Sequence, residues 1–305
     1  IKVPKSIKGV SDEEIARRFI RELELQLTFY YNQFVHCAFD VDVIHNIPVA
    51  SFRYWGNDLA NLIKTNQVSL LTKLSLLVYT CIGLRHCYSK GLVSHQDLKP
   101  ANIFIHDVKE DFVGLPDLDI YKFAKIADFG LANASIRYSI FDGSRPYMAP
   151  EQWNKDELSQ ATDIFALGVI FYELLTNGYH PVGIKLNDFW PEPQDGKSKK
   201  WTREDDWRKW IKHGCKIAPP DGVEIDSNML IFIEKMLAVK SSDRPNIEDV
   251  IEFLYSQISS LSPMSYDNMK LLIERSERKS SLRKDLETDW PYLHAKLQTL
   301  ITQFE

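Results

Sequence analysis

Short β-like runs and one helical segment alternate over the first 60 residues. The runs are "IKVPKSI" at the start and "IPVASFRY" near residue 50. Between them, from about Ser11 to Thr28, apolar residues recur with helical spacing, and Ser11 followed by Glu14 is a possible capping box. The pattern therefore predicts a small, β-containing region that carries one helix.

The next part of the chain predicts one long helix and two strands. Over residues 69–90, leucines and a cysteine recur at steps of three and four, which predicts a helix with one apolar face: Leu70, Leu74, Leu77, Cys81 and Leu84. The strand-like runs "NIFIH" and "YKFAKIAD" follow. An acidic insert from about Asp107 to Asp119 separates them and predicts a surface loop.

After residue 150 the pattern is helical. The segment "TDIFALGVIFYELLTN" is apolar nearly all round, which is typical of a helix buried at the centre of a lobe. Two further helices are predicted around 227–238 and 247–258. The tail from Ser262 is highly charged and ends in an amphipathic helix that could pack on the large lobe, bind a partner or dimerise. Its apolar face comprises Leu293, Leu297, Leu300, Ile301 and Phe304.

Composition narrows the class of protein. The chain has 305 residues, of which 44% are hydrophobic and 12% aromatic, as in a globular protein with a core. A net charge of −5 with dispersed charges argues against a general nucleic-acid binder. The four cysteines are scattered, which predicts isolated buried thiols rather than a disulfide framework or a structural zinc site. Free thiols are typical of a reducing compartment, so we expect the cytoplasm. The longest apolar run includes Lys73 and is too short to span a bilayer, and no secretory signal is visible.

Five short segments carry candidate chemistry. "SHQDLKPANIFI" places Asp97, Lys99 and Asn102 within six positions on non-helical backbone. "ADFG" places Asp128 after a strand, and the later segments "YMAPEQW", "TDIFALG" and "SSDRP" contribute a set of charged residues: Glu151, Asp163 and Arg244. Any one of these strings recurs by chance, whereas their occurrence together, in this order and in these contexts, does not.

These segments resemble segments of the protein kinase family. "HQDLKPAN" is similar to the catalytic loop, "DFG" to the metal-binding loop and "APE" to the end of the activation segment. The resemblance runs from roughly Lys5 to Ile258. It implies an α+β, two-lobed fold with a small β-rich N-terminal lobe and a large helical C-terminal lobe. The implied divisions are 1–258 for the kinase-like domain (N-lobe 1–53, hinge about 52–58, C-lobe 59–258) and 259–305 for the helical extension.

The resemblance also implies a role for each polar residue in transferring a phosphoryl group from ATP. Asp97 would orient the substrate hydroxyl and accept its proton, and Lys99 would hold the transferred group. Asn102 and Asp128 would supply oxygen ligands, which suit Mg²⁺ and not zinc. Structural roles are implied for His95, Phe129, Gly130 and Asp163, and Arg244 would pair with Glu151.

ATP also needs a cation on its phosphates, held in place by an acid. Lys5 resembles the family lysine that fills this role and Glu22 resembles its partner; Lys2 and Glu24 remain alternatives. "SFRYWGNDL" resembles the hinge between the lobes. There Phe52 would lie at the back of the adenine pocket, and the backbone around Arg53, Tyr54 and Trp55 would hydrogen-bond the purine.

The implied substrate is a serine or threonine hydroxyl of a protein. Lys99, two residues after Asp97, and Ser144 in "GSRPYMAPE" favour this class over tyrosine kinases. Two other classes stay open: a pseudokinase that uses the fold as a scaffold, and a small-molecule phosphotransferase. The first is motivated by the lack of a G-x-G-x-x-G pattern among the 13 glycines. In the family this pattern forms a loop that covers the phosphates. The loop is either absent or precedes Ile1; we favour the second, since Lys5 lies where the third strand would begin.

Gln96 departs from the family, most of whose members have Arg beside the catalytic Asp. A neutral Gln cannot make the charge-assisted, bidentate contact by which Arg binds a phosphate on the activation segment. The sequence therefore predicts a kinase that is active without phosphate on this segment, whose hydroxyl residues are Ser135, Tyr138, Ser139 and Ser144.

Overall fold

The small N-terminal lobe contains helix α1 (Asp12–Thr28) and the antiparallel hairpin of β1 (Asp40–Ile44) and β2 (Ile47–Ser51). Backbone hydrogen bonds between Lys2 and Ala50 add the start of the chain to this hairpin. The computed structural model describes residues 1–6, 9–30, 32–65, 68–109, 114–140, 143–186, 204–217, 219–286 and 289–304.

The large lobe is mainly helical and carries a second antiparallel hairpin, of β3 (Ile103–Asp107) and β4 (Lys122–Ile126). Its helices, in chain order, are α2 (Leu59–Thr65), α3 (Leu70–Ser89), α4 (Ala134–Tyr138), α5 (Pro150–Asn154), α6 (Gln160–Thr176), α7 (Glu204–Lys212), α8 (Ser227–Met236) and α9 (Ile247–Leu261). The extension adds α10 (Pro263–Leu286) and α11 (Asp289–Phe304). The two-lobed α+β architecture expected from the resemblance is confirmed.

Helix starts agree with the local sequence signals. The hydroxyl of Ser11 accepts a hydrogen bond from Glu14 N–H, which confirms the N-cap of α1, while the Glu14 carboxylate accepts one from Arg18. Ser69 caps α3 in the same way, through Thr72 N–H. Capping residues satisfy N–H groups that have no partner within the helix, so these starts are readable from a few residues.

The predicted single apolar face of α3 is wrong. This helix is buried on nearly all sides, because β4, α6 and α9 pack around it, whereas Leu70 at its first turn is 37% exposed. Strand β1 is an element that the pattern did not reveal, since Asp40 and Asp42 interrupt its apolar residues. The predicted insert is exposed at Gly114, Pro116, Asp117 and Asp119; its residues 110–113 lie outside the described part of the chain.

The two helices of the extension contact different lobes. Helix α10 packs against α9 of the large lobe, and α11 packs against α1 and β1 of the small lobe. The predicted apolar face of α11 is confirmed, because Leu293, Leu297 and Leu300 are each no more than 3% exposed. Packing within the chain therefore occurs, but on the small lobe rather than on the large lobe.

A buried ion pair joins α5 to the loop before α9. Arg244 donates from both terminal nitrogens to the two carboxylate oxygens of Glu151, at 2.7 and 2.8 Å. Arg244 also donates to the carbonyls of Ala161 and Ala238, and the hydroxyl of Thr162 donates to Glu151. Every strong polar atom of the pair thus has partners, as burial requires.

The pair should behave as a structural unit. Because each charge is buried, we expect Glu151→Gln or Arg244→Met to lower the free energy of unfolding by about 3–5 kcal/mol, and the double variant to cost less than the sum. Urea titrations of the four proteins measure this coupling. The exposed pair of Lys122 and Asp107 serves as the control, where coupling of about 1 kcal/mol or less is expected. Additive costs at Glu151 and Arg244 would contradict the interpretation.

Candidate active site

Asp97, Lys99 and Asn102 lie close together just before β3. A short 3-10 turn, Pro100–Asn102, connects this loop to the strand. Lys99 Nζ lies 2.7 Å from Asp97 Oδ2, and Asn102 Nδ2 donates to the backbone carbonyl of Asp97 at 2.8 Å. Ser144 closes the group from the other side: its N–H donates to Asp97 Oδ1 at 2.8 Å, and Lys99 donates to its hydroxyl. Asn102 Nδ2 also lies 3.2 Å from Asp97 Oδ2, so the Asp97 carboxylate contacts Lys99, Asn102 and Ser144.

A buried carboxylate holds the backbone of this loop. Asp163, in the first turn of α6, accepts hydrogen bonds from the N–H groups of His95 and Gln96, from the hydroxyl of Ser94 and from the phenol of Tyr88. Burial raises the pKa of Asp163, and these donors oppose the shift by favouring the charged form. They also stabilise Gln96 at a positive φ of 66°, which is uncommon for a residue with a side chain.

Residues 134–140 and 143–148 pack against the same loop. Gln96 Oε1 accepts from Ser135 N–H at 2.8 Å, and its Nε2 donates to the carbonyl of Ile140 at 3.0 Å. Gln152 donates to the backbone carbonyl of Gln96. A Cβ at Gly143 would lie 2.6 Å from that carbonyl, so only glycine permits this close approach.

Lys2, and not Lys5, is the lysine that meets Glu22. Lys2 Nζ donates to Glu22 Oε1 and, at 2.9 Å, to Asp128 Oδ1. The bridge between Lys2 and Ala50 holds Lys2 in the small sheet, whereas Pro4 has no N–H with which to continue such pairing and Lys5 beyond it is exposed. The prediction of Lys5 is corrected to the alternative, Lys2; Glu22 is the acid that the structure places there.

The charges around Lys2 support one another. Burial opposes the charge on Lys2, but the carboxylates of Glu22 and Asp128 raise the pKa of its ammonium. Burial also opposes ionisation of Asp128, yet Lys2 lowers the pKa of this carboxyl. Asp128 has a positive φ of 61°. The strained backbone and the ion pair together present a charged carboxylate next to Asn102.

Phe129, His95 and Gly130 surround Asp128. The Phe129 ring packs against Phe29 of the small lobe and against His95, with ring centroids 5.1 and 4.9 Å apart. His95 Nε2 donates to the carbonyl of Ala127. These contacts fix Asp128 from both lobes.

A cavity of about 510 Å³ opens between the lobes. Asn102 and Asp128 line it. So do all four predicted hinge residues, Phe52, Arg53, Tyr54 and Trp55. The Phe52 ring packs on His36, whose Nε2 donates to the Arg53 carbonyl at 2.9 Å. Burial lowers the pKa of His36 to about 4, so this imidazole is neutral. The carbonyl of Arg53 therefore has one hydrogen bond already made within the protein.

The donor atoms at the cavity fit a magnesium ion. The Nδ2 of Asn102 donates to Asp97, which leaves its oxygen as the atom available for a metal, and Asp128 supplies a carboxylate. The described ranges contain no cluster of three or more His, Cys, Asp and Glu side chains of the kind that holds a metal ion through protein ligands alone. Mg²⁺ fits such a sparse set, because it keeps waters and shares substrate phosphates as ligands.

Three residues of this site escaped the sequence analysis as contributors to its geometry: His36, Gly143 and Gln152. Each acts through a backbone carbonyl of another segment. Spacing along the chain carries no signal for such contacts. Lys2 had a signal, its position in the first β-like run, which equally fitted Lys5.

Comparison with known proteins adds an independent finding. The family described as "Protein kinase domain" matches residues 3–256. The chain is 26% identical over 308 residues to mitogen-activated protein kinase pmk-2 of Caenorhabditis elegans, covering 88% of this chain and 71% of that protein. It is 29% identical over 202 residues to serine/threonine-protein kinase PknD of Chlamydia caviae, covering 55% and 20%. It is 38% identical over 115 residues to the Caenorhabditis elegans calcium/calmodulin-dependent protein kinase type II, covering 37% and 13%.

The chain thus spans 71% of the first of these relatives and less than a quarter of the other two. The family match covers well over half of the chain and includes the catalytic loop, the Asp128 loop and the Glu151–Arg244 pair. The match begins at residue 3, so the pairing of Lys2 with Glu22 rests on geometry alone. The chain belongs to the protein kinase family, and the resemblance is to its serine/threonine kinases.

Proposed function

We propose that this kinase transfers the γ-phosphoryl group of ATP to serine and threonine hydroxyls of proteins, with Mg²⁺ as cofactor. The observation that carries the proposal is the arrangement at Asp97, where one carboxylate contacts Lys99, Asn102 and Ser144 beside the cavity between the lobes. A pseudokinase would not need a carboxylate, an ammonium and a carboxamide in this arrangement.

Asp97 is the proposed base. The Asp97 carboxylate would orient a substrate hydroxyl and accept its proton, as the hydroxyl oxygen bonds to the γ-phosphorus and the bond from this phosphorus to the departing ADP breaks. Lys99 lies beside it and supplies a positive charge for the oxygens of the transferred group. Ser144 contacts both side chains, so it sets the distance between base and cation.

Lys2 is the proposed ligand of the α- and β-phosphates. Glu22 and Asp128 hold its ammonium at the cavity, so that binding needs little rearrangement of the side chain. Asn102 and Asp128 would hold Mg²⁺, which neutralises charge on the phosphates when bound. The hinge residues would bind the adenine through Phe52 and the backbone of residues 53–55.

Two further features support the proposed setting. All four cysteines are free, and three of them are buried, which fits a reducing compartment such as the cytoplasm. None of the helices in the described ranges is long and apolar enough to cross a membrane.

We also propose that the kinase works without phosphate on its activation segment. Gln96 makes two neutral hydrogen bonds, to Ser135 and Ile140. It occupies the position where most family members have an arginine that binds a phosphate. The segment is therefore held by its own packing.

Asp97→Asn should lower the rate of phosphoryl transfer by about 10²–10⁴-fold, because the amide cannot accept the proton. The thermal midpoint should change little, since the Asn oxygen still accepts a hydrogen bond. Initial rates on a generic protein substrate measure the effect. The exposed Asp156 gives the matched control, Asp156→Asn, which should be as active as the wild type. Near-wild-type activity in Asp97→Asn would exclude Asp97 as the base.

Substitutions of the two lysines distinguish their roles. Lys2→Ala should lower kcat strongly, because Glu22 and Asp128 lose their shared cation, whereas Lys5→Ala should leave kcat close to the wild-type value. Asp128→Ala should abolish Mg²⁺-dependent nucleotide binding in calorimetric titrations with Mg·ATP. The lysine assignment fails if Lys5→Ala is the more damaging of the two, and the metal assignment fails if Asp128→Ala binds Mg·ATP normally.

Phosphatase-treated protein should be fully active from the first measured time point. Mass spectrometry should confirm that residues 131–148 carry no phosphate before the rates are measured. Gln96→Ala should lower kcat by about tenfold or more, since it frees Ser135 N–H and the Ile140 carbonyl and loosens the segment beside Asp97. A lag that disappears after phosphorylation of Ser135 or Ser139 would contradict the proposal.

A further inference from the structure

The small lobe has its own apolar core, separate from the main core of the large lobe, and α11 supplies three of its ten buried residues. This core contains ten buried residues, of which three belong to the terminal helix: Phe19, Ile20, Leu23, Leu27, Ala38, Val41, Ala50, Leu293, Leu297 and Leu300. The three leucines repeat at steps of four and three, so they form one stripe along α11. Without α11, the apolar face of α1 would be open to water.

The helix that α11 covers is the one that carries Glu22. Phe19, Ile20, Leu23 and Leu27 of α1 pack in the core shared with α11, while Leu25 belongs to the main core. Glu22 lies next to Leu23 and pairs with Lys2. Helix α1 is thus fixed from behind by α11, and any shift of α1 would change the distance between Glu22 and Lys2.

Two polar contacts set the position of α11 along β1. Lys296 Nζ lies 2.8 Å from Asp40 Oδ1 at the start of β1, and Gln303 donates to the side chain of Asn46 in the turn after it. Both contacts are at least partly exposed, so they contribute little to stability. They specify register, while the leucines supply the attraction.

The preceding helix is attached to the other lobe. Met269 and Ile273 of α10 are buried in the main core. Arg85 of α3 pairs with Glu277 of α10 at 2.9 Å and with Glu248 of α9 at 3.2 Å. The extension therefore has one helix on each lobe: α10 packs on the large lobe and α11 on the small lobe.

From this arrangement we infer that α11 is a positioning element for catalysis: its docking on α1 holds Glu22 against Lys2 and keeps the kinase in its assembled state. The inference rests on the proposed function, in which Lys2 binds the nucleotide phosphates. Release of α11 would free α1 and separate the ion pair.

The test is a matched pair of substitutions in the full chain. Leu297→Asp places a charge in the shared core, and Gln298→Asp places the same charge on the adjacent, exposed position. Leu297→Asp should lower kcat about 10–100-fold, because Glu22 no longer holds Lys2 in place, while Gln298→Asp should match the wild type. Far-UV circular dichroism should show that both variants keep the helices of the large lobe.

Two readouts separate positioning from general damage. Hydrogen exchange in residues 19–27 should be faster in Leu297→Asp than in Gln298→Asp, and this comparison needs no turnover. A synthetic peptide of residues 289–304, added in excess, should restore the activity of Leu297→Asp, whereas the same peptide carrying the Leu297→Asp change should not.

Full activity and unchanged exchange in Leu297→Asp would overturn the inference, as would a loss of activity that the peptide cannot restore. If the wild-type protein transfers no phosphoryl group, the proposed function fails. The exchange of α1 then still decides whether α11 holds this helix.

Discussion

The carboxylate of Asp163 is the contact on which the geometry of the active site depends. It is buried at the start of α6 and receives hydrogen bonds from Tyr88, from Ser94 and from two successive backbone N–H groups, those of His95 and Gln96. A buried charge is tolerated only where such donors replace water. The same bonds stabilise the left-handed conformation of Gln96, and the next residue, Asp97, contacts Lys99 and Ser144.

Alternating charges extend this arrangement across both lobes. Lys99 lies beside Asp97, and Lys2 lies between Glu22 and Asp128. Lys2 offsets the repulsion between the two carboxylates that it contacts, and Lys99 balances the charge of Asp97. Phosphoryl transfer depends mostly on positioning and charge neutralisation, and this set of charges fits the roles that we propose for it. Helix α1, which carries Glu22, packs in both apolar cores.

Local patterns predicted much of the fold. The helix expected over residues 69–90 is observed as Leu70–Ser89, and the strands "NIFIH" and "YKFAKIAD" pair as expected of neighbours in the chain, with Ile105 opposite Ala124. These elements depend on capping, periodicity and short connections, all of which are written in adjacent residues. Burial all round α3 was not predictable, because it depends on β4, α6 and α9 arriving from elsewhere in the chain.

The sequence by itself determined that Asp97, Lys99 and Asn102 lie close together, because they fall within six positions and a single turn joins them. Only the tertiary structure decided which lysine completes the site. Lys2 and Asp128 are 126 positions apart, and the pairing of Lys2 with Ala50, ended by Pro4, selects Lys2 over Lys5. It also decided where α11 docks. An apolar stripe shows that a helix needs a partner, but the choice of partner depends on which surface the folded chain leaves uncovered.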